Sequence, residues 1–213
     1  MNPDLKALLA NDEELAALTA GFSEEERKEF EREMAGLFED VQNMFAEFEN
    51  RTIHRHLTAD ILAQTSDAEL VLTVFDTLAL NAPENLSEAE YLAALPPEHR
   101  AVYALYILAG EVDNGGFNQY YYNTEAEASA YLEEAFELIG APDYARLVRE
   151  ACRCYRENRI AGRCDGTLEQ FCTSYRNNPL SEYDQAFYAL ENSNPLHDLL
   201  VKFIRSREDA FVM

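Results

Sequence analysis

The chain has 213 residues, 47% of them apolar, with 12 Tyr, 12 Phe and no Trp, and it sets 40 acidic residues against 17 basic ones for a formal charge of −23. That apolar content suffices for a core and excludes disorder by composition. The charge excludes direct binding to a phosphate polymer and favours attraction of a basic partner. Solubility alone seldom needs a charge beyond about 8 in so small a domain, so the excess asks for a reason. No run of about 18 apolar residues occurs to span a membrane. The opening MNPDLKALLANDEEL places acids where a secretory leader has a basic and then an apolar stretch. The four cysteines, Cys152, Cys154, Cys164 and Cys172, follow no common zinc spacing and read as buried thiols in a reducing compartment. A cytoplasmic chain is expected.

Helix signals then recur from end to end. Asn2-Pro3 opens a helix whose apolar side is Leu5, Leu8, Leu9, Leu15 and Leu18, with Gly21 as its stop. Ser23 with Glu26 forms a capping box. Behind it Phe30, Met34, Leu37, Phe38, Val41, Phe45 and Phe48 recur at helical spacing. Ser66 with Glu69, Ser87 with Glu90, and Thr124 with Glu127 are three further boxes. Pro96-Pro97 ends one helix and starts the next, which is expected to end near Gly110. Gly140 ends the helix that follows Thr124, and Pro142 begins another, through Leu147, Val148, Ala151 and Tyr155. Later apolar sets are Leu168, Phe171 and Cys172, then Ala186, Phe187 and Leu190, then Leu199, Leu200, Phe203 and Ile204. No alternating strand pattern appears. The reading is an all-α fold of about eight to ten helices, with an N-terminal acidic helical arm over 1–56 and the main helical domain over 57–213.

Motifs of catalysis are missing. There is no Walker loop, GxGxxG, GxSxG, HExxH or helical ExxH pair. His54 and His56 lie beside Arg51 and Arg55, which disfavours a cation there. No metal, no cofactor and no enzymatic activity are expected.

One block stands out: residues 110–123 read GEVDNGGFNQYYYN. Asn114-Gly115-Gly116 is a strong turn signal, because Gly and Asn tolerate positive φ. Aromatics follow at once. The block is either a tight turn with rings plugging the core or a small ligand site of amides and phenols. The stretch LPPEHRAVYALYILAGEVDNGGFNQYYYN resembles the signature of the DUF4375 family, the family of the DNA mimic protein DMP19. Asn114, Gly115, Gly116, Phe117, Gln119, Tyr120, Tyr122 and Asn123 match its pattern. The resemblance runs in order of elements over roughly residues 58–205. It implies an all-α fold, dimerisation for the named member, and an acidic surface that competes with DNA for a helix-turn-helix repressor.

Charge must then support mimicry. DNA presents about one negative charge per 1.7 Å of axis, and acids one helical turn apart lie roughly 5–6 Å apart. Between Glu111 and Asp143 stand eight acids and no Lys or Arg: Glu111, Asp113, Glu125, Glu127, Glu133, Glu134, Glu137 and Asp143. They are the candidate DNA-mimicking contacts. Residues 1–50 add fourteen acids against Lys6, Arg27, Lys28 and Arg32. Arg146, Arg149, Arg153, Arg156 and Arg163, with Arg159 nearby, form a basic stripe that suggests salt bridges within the fold or across a dimer. The expected function is transcription regulation by mimicry of DNA towards a basic DNA-binding protein. The alternative is an acidic immunity-type protein that neutralises a toxin, with an enzyme built on 114–123 as a third reading.

Overall fold

Serine, threonine and proline set where most of the helices begin. The computed structural model describes residues 21–124, 126–158 and 178–213, with only the backbone given at Glu31 and Glu47. Ten helices lie among them: α1 (Glu24–Glu49), α2 (Ala59–Gln64), α3 (Asp67–Leu80), α4 (Glu88–Ala94), α5 (Pro97–Thr124), α6 (Ser129–Leu138), α7 (Pro142–Glu157), α8 (Ser181–Ser193), α9 (Leu196–Arg205) and α10 (Glu208–Phe211). No strand occurs among the described residues. The all-α fold read from the sequence is the one observed. The helix expected from Asn2-Pro3, the set Leu168, Phe171 and Cys172, and Cys164 lie outside the described residues.

The chain separates into two units between Thr52 and Ile53. In the first, Ser23 caps α1 as expected. Its hydroxyl accepts from the Glu26 N–H, and the Glu26 carboxylate accepts from the Ser23 N–H at 2.8 Å. Three acids in the first turn complement the positive end of the helix dipole. No described side chain of α1 is buried.

In the second unit, α5 packs against α3, α6 and α8, α6 against α7, and α7 against α8. A relay of rings joins four of these helices. Phe117 meets Phe187 edge-on at 5.9 Å, Phe187 meets Tyr144 edge-on at 5.5 Å, and Tyr144 stacks on Phe136 at 5.0 Å. All four rings are buried, and rings of this size dominate core energetics. Arg205, near the end of α9, donates to the carbonyls of Leu62 (2.6 Å) and Thr65 (2.7 Å) and to the Asp67 carboxylate (2.8 Å). It thereby satisfies carbonyls that the end of α2 leaves without helical partners. The Met213 N–H reaches the Leu57 carbonyl at 2.9 Å.

Among the boundary signals, Ser87 with Glu90 forms the full capping box, and Pro97 and Pro142 start their helices. Gly140 ends α6 at φ 79°, with Ala141 N–H bonded to Phe136 O and Gly140 N–H to Glu137 O, a complete Schellman closure. Three expectations are corrected. Gly110 does not end its helix: buried Leu108 and Val112 on either side hold that stretch in the core, and packing overrides the weak propensity of glycine. Thr124 caps nothing. Its hydroxyl donates back to Tyr120 O at 2.7 Å in the last turn of α5, and α6 starts only at Ser129. Ser66 precedes α3, but its hydroxyl is bonded to the Glu69 carboxylate and makes no cap to the backbone.

Candidate functional site

The unusual block breaks α5 in two. Gly115 and Gly116 leave helical geometry, and Gly116 sits at φ 73°, ψ −177°, a region essentially reserved for glycine. The restart at Phe117 exposes the N–H groups of a new first turn. The Phe117 N–H donates to Asp184 Oδ1 at 2.7 Å, so a carboxylate from α8 caps a helix 67 residues earlier in the chain. A Cβ placed on Gly116 would meet the Asp184 carboxyl at 2.6 Å. Burial pushes the Asp184 carboxyl above the usual carboxylate range, and the bond from Phe117 acts in the opposite direction.

Four further members of the block are also committed within the fold, while Asn114 is exposed just before the break. Gln119 Nε2 and Asn123 Nδ2 both donate to Glu111 Oε2, at 2.9 and 2.8 Å. The Tyr120 hydroxyl lies 3.4 Å from Ser129 Oγ. Tyr121 stacks on Tyr155 at 4.0 Å and donates to Cys152 Sγ at 3.2 Å. On the far side of the break, Tyr188 donates to Val112 O at 2.8 Å. Burial drives the phenols of Tyr120, Tyr121 and Tyr144 upward, which is the wrong direction for a phenolate base. The block thus combines a glycine break, an imported cap and a clamp of amides on one carboxylate. Sequence reasoning missed Asp184, Tyr188 and the receiving role of Glu111. No local pattern marks the first two, because their partners lie 67 and 76 residues away.

The eight candidate acids divide by environment. Glu111 is half-buried and held by the two amides. Glu127 is half-buried and accepts from the Ala89 N–H at 2.9 Å. The neighbouring Glu88 carboxyl is raised by its own burial first and by the Glu127 charge second. Glu125 lies outside the described residues. Asp113 is exposed on the last helical turn before the break, with its carboxyl raised by partial desolvation. The other four sit together on α6 and the start of α7. Glu133 pairs with Arg149 at 2.5 Å, Glu137 lies 3.9 Å from the same guanidinium, and Asp143 pairs with Arg146. The Arg149 hydrogen bond holds the Glu133 carboxyl below its usual range. Glu134 and Glu137 are exposed. Part of the arginine stripe thus forms the intramolecular bridges expected of it. Arg153 and Arg156 are exposed, and Arg159 and Arg163 lie outside the described residues. Surface pairs of this kind are well hydrated and contribute little to stability.

Among the described residues no helix is long and apolar enough to cross a membrane, and no group of three or more His, Cys, Asp or Glu is placed to hold a metal.

No curated protein and no solved structure matches the chain. The sequence model of the DMP19-like protein family matches residues 93–207. That span begins within α4, later than the resemblance at 58 had suggested, and contains the glycine break, its cap Asp184 and the acids of α6 and α7. With more than half of its length covered, the chain belongs to the DMP19-like protein family.

Proposed function

We propose that the protein is an acidic DNA mimic that occupies the DNA-binding surface of a basic nucleic-acid-binding protein, such as a helix-turn-helix repressor, and so competes with DNA. Its role is binding rather than catalysis, and it acts in the cytoplasm, singly or as a homodimer. The observation that carries the reading is the charge excess of the family-bearing unit: residues 53–213 hold 26 acids against 12 Lys and Arg. Glu133, Glu134, Glu137 and Asp143 on neighbouring α6 and α7 are the proposed contacts, with Asp113 as an outlier. Glu133 and Glu137 are one turn apart, a spacing of roughly 5–6 Å that suits groups which otherwise hold phosphates. Arg146 and Arg149 moderate this patch without cancelling it, since the four acids outnumber them. Glu111 and Glu127 drop out of the contact set because amide and backbone N–H groups of the fold hold them, whereas Glu133 and Asp143 are held only in exposed ion pairs.

The test is a pull-down from host extract at low salt, followed by competition for duplex DNA. Capture of a DNA-binding protein that releases its duplex to this chain, with competition falling steeply as salt rises, is the expected result. Glu134→Lys with Glu137→Lys should weaken that competition. A captured protein that carries both the chain and DNA at once would refute mimicry.

A further inference from the structure

The face of α1 that should be hidden is exposed. At about 100° per residue, Met34, Leu37, Val41, Met44, Phe45 and Phe48 fall within about 100° of the helix circumference. Four of them are large and more than half open or close to it: Leu37 56%, Met44 59%, Phe45 60% and Phe48 50%. They lie in a stretch of twelve residues, about 18 Å of helix. The edges of this stripe are acidic. Glu29, Glu33 and Asp40 follow one side of it on the helical wheel and Glu49 the other, and no Lys or Arg occurs from Glu33 to Asn50.

We infer that this stripe is a docking face for a cationic amphipathic helix of a partner protein. Apolar side chains of the incoming helix would cover Leu37, Met44, Phe45 and Phe48, while its Lys and Arg would reach the bordering carboxylates. The chain supplies its own example of such a contact: the Arg51 guanidinium lies over the Phe48 ring at 3.7 Å. A second copy fits poorly, because it would bring carboxylate rows together with Arg51, at the Phe48 end, as the one cation among the described residues that the structure sets against the four exposed stripe residues of each copy, and juxtaposed like charges are unfavourable. An anionic membrane is repelled for the same reason. The inference stands apart from DNA mimicry, since α1 lies outside the residues that match the family.

The test uses the full chain and a fluorescein-labelled synthetic peptide of about 18 residues, five turns of helix with Leu along one face and Lys elsewhere. A scrambled peptide of the same composition has no coherent face. Fluorescence anisotropy should show the ordered peptide binding at least ~10-fold more tightly, the scale of a buried aromatic anchor. Phe45→Ser with Phe48→Ser should close that gap with an unchanged helical circular dichroism spectrum. Glu134→Gln, on the proposed mimicking patch, should leave it open. Equal binding of both peptides, or indifference to the paired serines, overturns the proposal. So does sedimentation showing a wild-type dimer that the serines dissociate, which would make a second copy the occupant.

Discussion

The two longest helices, α1 with 26 residues and α5 with 28, carry similar numbers of large apolar side chains to different ends. In α1 the apolar residues share their turns with ten acids, and no described side chain is buried. In α5 only Glu98, Arg100, Glu111 and Asp113 carry full charge, and fourteen residues are buried. The difference teaches that helical spacing of apolar residues defines a face but not its fate. Burial follows where charge is sparse and where neighbouring elements bring partners for each polar group. In α5 those partners come from far along the chain: Asp184 for the Phe117 N–H and Tyr188 for the Val112 carbonyl.

Truncating the same residue type in each helix should break the comparison most sharply. Phe117→Ala, at a fully buried ring touching Phe187, should cost about 3–5 kcal/mol in urea denaturation. Phe45→Ala, at a ring 60% exposed, should stay within about 0.5 kcal/mol. Comparable losses would mean that α1 is covered in solution. Next in size is Gly116→Ala. Backbone strain of about 1–3 kcal/mol adds to displacement of the Asp184 carboxyl, and a thermal melt should fall accordingly. An unshifted melt would show that the break is not held by glycine.

Asp184 separates the imported cap from its charge. Asp184→Ala leaves the Phe117 N–H without its acceptor and should cost about 1–3 kcal/mol. Asp184→Asn keeps an acceptor oxygen and should lose far less. The pH dependence has a definite sign. Because burial raises the Asp184 carboxyl in the fold, its ionisation disfavours the folded state as pH rises from the ordinary aspartate range through the raised value. The stability of Asp184→Asn relative to wild type should therefore be greatest near neutrality and decline on acidification. A gap that widens on acidification would mean that the Phe117 bond, not burial, dominates this carboxyl. The smallest effect is expected at Tyr188→Phe, which loses one bond to Val112 O and about 1 kcal/mol.

What the sequence made legible was local. Ser23, Ser87, Pro97, Pro142 and Gly140 act through neighbours within a few residues, and each marks its boundary in the structure. Gly110 and Thr124 misled because the same residue types serve inside a helix once packing or back-bonding holds them. The candidate acids were legible as charge and not as geometry. Nothing near Glu111 in sequence announces that two amides, 8 and 12 residues on, converge on one oxygen. Arg149 and Glu133, 16 apart, meet only because α6 and α7 turn back on each other at Gly140.

The bond between the Met213 N–H and the Leu57 carbonyl places the start and finish of the second unit within reach of each other. That closeness makes the unit a candidate for circular permutation. Joining Met213 to Ile53 through a few Gly and Ser residues, and opening the chain in the exposed connection around Glu84 and Asn85, should preserve the ring relay and the glycine break while moving the free ends beside α4.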